Sequence, residues 1–338
     1  MRGRTAVTEP GLGLPERAGW AIAGRDVIVT NVLRRPRAGT AGVLVLALVA
    51  SLASALPASA TAPTQSAPEC KVTNLTRGGT RGSLSEAVLA ARAGDTLQVR
   101  GTCFGNTRIG KDLTVVGRAS AASGTPTLDG EYDGSVLHIE RGTTVVIDNL
   151  VIAHGSANGL TWPRQSGGGI WSAGRLTLKD VAIVENSARD SGGGLRLEGP
   201  TTLIDTDVSY NVVTENGDGC GIATSTRLTI RGGRVMGNIH QADACWGAGI
   251  AAWAGARVTL LGNARVREND AGIGNGAGIF INDGASVALQ DASTVTANTT
   301  TGTGGGILAE CSATVTYEGS KGDHVFGNTP NQVVKLLC

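Results

Sequence analysis

Short runs in which apolar and polar residues alternate fill the second half of this chain. Ile170-Trp171-Ser172 is followed by Leu176-Thr177-Leu178, then Val181 to Val184, and the unit closes on Asn186. Alternation of this kind is the signature of a half-buried strand. No stretch of ten residues here carries a helical period, which argues against parallel strands joined by crossover helices. The unit recurs. Gly-x-Gly-Ile, once Gly-Gly-Gly-Leu, begins at Gly167, Gly192, Gly219, Gly247, Gly276 and Gly304, in steps of 25, 27, 28, 29 and 28 residues. A fixed period of this size marks a repeat architecture.

Alignment on the closing residue sharpens the pattern. Asn186, Asn211, Asn238, Asn269, Asn298 and Asn328 take one position, and three residues earlier stand Ile183, Val208, Val235, Val266, Val295 and Val325. The aliphatic row predicts an interior ladder. The Asn row predicts bends, because Asn tolerates left-handed backbone and can bond to a stacked neighbour. The implied fold is all-β, a right-handed parallel β-helix. Two less regular coils, Thr96 to Gly117 and Thr127 to Gly155, precede the six marked repeats. About eight coils at ~4.8 Å per step make a rod of ~40 Å.

The ends differ from the repeats. Residues 41 to 56 are uncharged and apolar or small, with Arg34, Arg35 and Arg37 before them and Ala58-Ser59-Ala60 after. That order predicts a secretory signal within an N-terminal extension spanning 1–60. The run is shorter than the ~20 residues of a membrane span. Residues 1 to 33 are unusual ahead of such a segment and fit translation starting nearer Val27 to Val32. Residues 61–95 read as a cap segment and 96–338 as the β-helix. Ser83-Leu84-Ser85-Glu86 has capping-box spacing, and Leu84, Val88 and Ala91 share one helical face, so a short helix is expected to plug the N-terminal end of the core. Val333 to Leu337 are expected to cover the last coil. The six cysteines, Cys70, Cys103, Cys220, Cys245, Cys311 and Cys338, form an even set in an exported chain and predict disulfides. Six allow fifteen pairings. Neighbour pairing is favoured, because Cys220 and Cys245 lie one coil apart, and Cys338 would pin the end of the chain to Cys311. The absence of a Cys-x-x-Cys pair argues against a metal site in these residues.

The pattern Gly-Gly-Gly-Ile-x-x-x-Gly-x-Leu-Thr-Leu closing on Asn resembles the repeats of secreted bacterial β-helix proteins of the pectin-lyase-like superfamily, and those of polymorphic outer-membrane proteins. Gly82-Ser83-Leu84-Ser85-Glu86-Ala87, followed by Gly94-Asp95-Thr96-Leu97, resembles the capping segment called the CSLREA motif, with Gly82 and Ser85 in place of its Cys and Arg. The resemblance covers roughly residues 70 to 330. It implies the fold. It leaves function open, since the superfamily holds polysaccharide lyases, glycoside hydrolases and adhesins, and a fold does not fix an activity.

A formal net charge of +1 gives no general preference for nucleic acid or membranes. Aromatic residues make up 3% of the chain, few for a stacking surface. Trp162, Trp171, Trp246 and Trp253 could line a shallow sugar site or pack at loop bases. The alignment places two rows outward. One holds Ala182, Asp207, Arg234, Arg265, Thr294 and His324; the other holds Val184, Ser209, Met236, Arg267, Thr296 and Phe326. Asp207, Arg234 and Arg265 should therefore be neighbours, either a surface ion-pair ladder or an anionic-sugar site. In lyases of the superfamily a basic residue abstracts the proton beside a uronate carboxylate and acidic residues hold Ca²⁺. An Arg could act so only with a lowered pKa. The variable loops contribute Asp190, Glu215, Asp218, His240 and Asp243. Paired carboxylates there would suit glycoside hydrolysis, while solvated loop acids need no such role. These acids do not follow a calcium-loop spacing. The resulting expectation is an exported, monomeric protein without a cofactor that binds polysaccharide or envelope glycan without catalysis. A lyase or hydrolase of uronate-containing polymer is the alternative, with Ca²⁺ if a lyase.

Overall fold

Three long parallel sheets wind through the chain. In the computed structural model, residues 69–159, 165–215, 217–241, 245–253 and 255–338 are described. The expected signal segment, Trp162 and Asp243 lie outside them. The sheets hold eleven, nine and nine strands, and the first two of the eleven are an antiparallel addition at the N-terminal edge. Nine rungs therefore stack in each sheet, from Asp95–Arg100, Thr102–Phe104 and Thr107–Ile109 at one end to Thr314–Tyr317, Val325–Phe326 and Val333–Lys335 at the other. Every rung-to-rung pairing is parallel, which makes a β-helix of about eight turns, and the crossover rule gives it a right-handed winding.

Register follows from the alternation. Ile183, Val208, Val235, Val266, Val295 and Val325 are paired in sequence and buried, as the alignment predicts. They join Leu178, Leu203, Ile230 and Leu260 from the first sheet, and Ile170, Leu195, Ile222 and Ile250 from the third, in one core along the axis.

The Asn row is also interior, and there the structure corrects the expected backbone. The left-handed residue is the one before each Asn: Glu185, Tyr210 and Glu268 each have φ of 55°. The reversal falls there because the Asn side chain must point inward. A non-glycine residue in that region costs on the order of 1 kcal/mol. What offsets the cost is a ladder of amides. Asn211 Nδ2 donates to Ile183 O and to Asn238 Oδ1, both at 3.0 Å, and Asn211 N donates to the same Oδ1 at 3.0 Å. The pattern repeats from Asn186 to Asn298, each Asn bonding to the next. It closes on Gln332, whose Oε1 accepts from both N and Nδ2 of Asn328 at 3.0 Å.

The same ladder explains the last glycine of Gly-x-Gly-Ile. A Cβ on Gly221 would meet Gly249 O at 2.7 Å and Asn238 Nδ2 at 2.8 Å. The first glycine has another reason: Gly219 sits at φ 63°, and its Cβ would meet Ile222 O at 2.2 Å.

At the N-terminal end, helix α1 (Leu84–Ala90) begins on Ser83, whose hydroxyl accepts from Glu86 N at 3.2 Å. Leu84, Ala87, Val88 and Ala91 are buried against the first coil, as the plug requires. Lys111 Nζ closes the helix end by donating to Val88 O and Ala91 O. At the other end two expectations fail. Val333–Lys335 is not a separate cover but the final rung of the third sheet, paired in parallel with Ile307–Ala309 and with Val333 packed on the core. His324 is not outward. It ends helix α2 (Lys321–His324) and is buried, its ring nitrogens 2.8 and 2.6 Å from Ser293 O and Glu318 O. An inserted helical turn rotates that position inward.

Of the neighbour cysteine pairs, Cys70–Cys103 is bonded, clipping the N-terminal strand to the first coil. Cys220 and Cys245 are free cysteines on adjacent coils with sulfurs 2.7 Å apart, and Cys311 and Cys338 are free as well. No helix among the described residues is long and apolar enough to cross a membrane.

Asn238→Ala removes the acceptor of two buried donors, Asn211 N and Asn211 Nδ2, and one of the donors to Val208 O. At about 1–3 kcal/mol per buried orphan, it should lower unfolding free energy by several kcal/mol, read as a fall in the denaturant midpoint. Gly221→Ala should also destabilise the chain by steric clash, whereas Gly255→Ala, whose Cβ meets nothing, should cost only the strain of its positive φ.

Candidate functional site

Residues at the centre of each third-sheet strand point outward and stack in register: Arg108, His138, Trp171 and Arg196, then Ala223, Ala251, Phe280 and Leu308. The row divides. Its upper half is covered, with Ala251, Phe280 and Leu308 packed together and the rings of Trp246 and Trp253 set edge-on to Phe280 at 4.8 and 6.1 Å. These two tryptophans are therefore packing at loop bases. Its lower half is open, and there Trp171 lies flat on His138, with centroids 4.3 Å apart and planes 16° from parallel.

A groove starts at that stack. Its first part, of about 270 Å³, is lined by Arg108, His138, Glu140, Arg141 and Trp171. Arg108 and His138 also border the next part, of about 870 Å³, together with Tyr132, Asp133 and Asn158. Tyr132 in turn borders a third part, of about 340 Å³, with Glu185, Tyr210, Thr214 and Gln241. Shared lining residues place the three side by side across the lower coils. Tyr132 and Tyr210 are 64% and 56% exposed, unusual for aromatic rings in a chain with so few.

The Asn ladder puts those side chains in place. Glu185 and Tyr210 are the left-handed residues ahead of Asn186 and Asn211, so their side chains must leave the core. His154 and Tyr132 have the same backbone, at φ 55° and 59°. His154 bridges two coils, its Nδ1 2.8 Å from Asp129 Oδ2 and its Nε2 3.4 Å from Glu185 Oε2, with the Tyr132 ring 5.1 Å away.

Electrostatics keep the rings neutral. Burial, then the Arg108 guanidinium, push the His138 imidazole below its ordinary pKa, with Glu140 opposing. Burial, then Glu185 and Asp129, push the Tyr132 phenol up, so it remains a hydrogen-bond donor. Arg108 is ion-paired with Glu140 across one coil.

The residues singled out from sequence fall elsewhere. Asp207, Arg234 and Arg265 are stacked neighbours on the second sheet, as aligned. Asp207 ion-pairs with Arg234, and its hydrogen bond pushes the guanidinium pKa up, the wrong direction for a base. The loop acids split into two groups. Glu215 pairs with Arg189 at 2.7 Å and accepts His240 Nε2 at its carbonyl oxygen. Asp190 and Asp218 lie together on the next row, where Asp190 accepts from Ser166 and Ser191 and Asp218 accepts from Trp246 N at 3.1 Å. Burial, with Asp190 adding to it, raises the Asp218 pKa to about 6. Among the described residues no group of three or more His, Cys, Asp or Glu is placed to hold a metal ion.

Sequence alignment on Asn missed the groove because much of its wall, including Tyr132 and His138, comes from an irregular coil that lacks the Gly-x-Gly-Ile mark. Trp171 and Asn186 are the lining residues that the sequence pattern singles out. No family model matches the chain, and no curated protein or solved structure matches it.

The Asp218 shift has a testable sign. Its folded pKa is raised, so the carboxyl is most favourable to the fold when neutral, below its unfolded pKa near 4. The fold loses that advantage as pH rises through about 6. Asp218→Asn should therefore be more stable than the parent at pH 8, by on the order of 2 kcal/mol, and match it below pH 4, as measured by denaturant unfolding at both values.

Proposed function

We propose that this chain is an exported extracellular or cell-surface protein that binds a glycan of the cell envelope without turning it over. One observation carries the reading: three adjoining hollows whose linings combine the aromatic side chains Trp171, His138, Tyr132 and Tyr210 with Arg108, Glu140 and Glu185. Sugar rings present apolar faces edged by hydroxyls. Flat aromatic rings take the faces, and charged side chains flanking them take the hydroxyls as charge-assisted hydrogen bonds. A rigid coil holds these groups at fixed spacing, so little order is lost on binding.

Export is supported by the basic, apolar and small-residue order of residues 34 to 60. The likeness of the repeats to pectin-lyase-like β-helix proteins, and of residues 82 to 87 to the CSLREA cap, fits the same setting. Within that superfamily the alternative is catalysis. Asp218, whose pKa is raised to about 6 by burial and then by Asp190, favours a glycoside hydrolase over a lyase, because Arg234 is held as a cation by Asp207.

The two readings separate in one experiment. Pectate, alginate and glycosaminoglycans are mixed with the protein, with and without Ca²⁺. Binding is followed by calorimetry, and turnover by ultraviolet absorbance of unsaturated products and by new reducing ends. Binding without turnover is expected, with Tyr132→Ala and Trp171→Ala each weakening it roughly tenfold, about 1.4 kcal/mol. Turnover abolished by Asp218→Asn would replace this reading with the hydrolase.

A further inference from the structure

The outer face of the first sheet carries a second surface, on a different side of the coil from the groove. Its central outward row runs Thr177, Thr202, Thr229 and Thr259, paired in sequence on four successive coils. Two residues earlier stand Arg175, Arg227 and Arg257. Two residues later stand Lys179 and Arg231. All five cations are exposed. Lys179 is shared with Asp148 and Asp180 at 3.6 Å. Arg175, Arg227 and Arg257 have no carboxylate within ion-pair distance among the described residues.

Arg227 and Arg257 are direct partners in the ladder, one coil apart or ~4.8 Å. Like charges set opposite each other destabilise a sheet. On the second sheet the same stacking of Arg234 on Arg265 is relieved by Asp207. Nothing among the described residues relieves it here. The hydroxyl row beside the guanidiniums also selects geometry. A planar carboxylate is consumed by a single bidentate guanidinium. A sulfate ester exposes three oxygens, enough to engage two stacked guanidiniums and a threonine hydroxyl together. We propose that this face binds a linear sulfated glycan lying along the axis, its sulfate groups seated over Arg227, Arg257 and the Thr229–Thr259 hydroxyls.

The test uses the full chain, dextran sulfate as the probe, and carboxymethyl dextran of matched charge density and anionic phospholipid vesicles as comparators, in 0.15 M salt. Dextran sulfate should bind at least tenfold more tightly than either comparator. R227Q/R257Q should lose that binding at least tenfold with an unchanged melting temperature, and Arg175→Gln should lose severalfold. Tyr132→Ala should leave it unaltered, so this proposal and the groove reading fail separately. Equal binding of carboxymethyl dextran or of vesicles, or full retention of dextran sulfate by R227Q/R257Q, overturns the proposal.

Discussion

The buried amide ladder is the interaction on which the rest of the structure depends. Each Asn of the series from Asn186 to Asn298 satisfies backbone and side-chain groups that would otherwise be orphaned where the chain turns inside the rod. Each amide holds the next, so the register of one coil sets the register of the following one. The glycine of the facing strand is required because the amide occupies the space a Cβ would fill. Repeat length, glycine placement and the aliphatic core row are all consequences of keeping that column straight.

The ladder also determines what the surface can carry. It forces the residue before each Asn into left-handed backbone and outward, and the sequence uses those positions for Glu185, Tyr210 and Glu268. A costly backbone state becomes a way to project chosen side chains at one-coil intervals. The groove near Tyr132 and Tyr210 and the cationic face around Arg227 and Arg257 are two products of the same geometry: outward side chains on stacked coils are spaced by the register of a packed core. They differ in chemistry because one is flanked by carboxylates and aromatic rings, and the other by threonines and unpaired arginines.

Charge rows show why identical stacking yields different roles. Asp207, Arg234 and Arg265 look from spacing like an anion site, but Asp207 ion-pairs with the first arginine and so occupies it while keeping it protonated. Arg227 and Arg257 have the same spacing and no such partner among the described residues. Burial separates the loop acids in the same way. Glu215 is spent on Arg189, whereas Asp218, shielded and beside another carboxylate, is held partly protonated near neutral pH.

Periodicity alone determined the coil, its aliphatic core rows, the alignment of the Asn column at the bends and the stacking of Asp207 on Arg234 and Arg265, because a two-residue alternation repeated at near-constant length leaves one way to bury every apolar side chain. The plug helix was legible for a similar reason, since Ser83 and the face of Leu84, Val88 and Ala91 are local signals. Tertiary structure decided the rest. Which backbone position reverses, how a helical turn buries His324, and why Val333–Lys335 pairs as a rung all depend on the neighbouring coil. The groove was decided there too. Trp171, His138, Tyr132 and Tyr210 come from three coils of unequal length, and only stacking, which no local pattern encodes, brings them side by side.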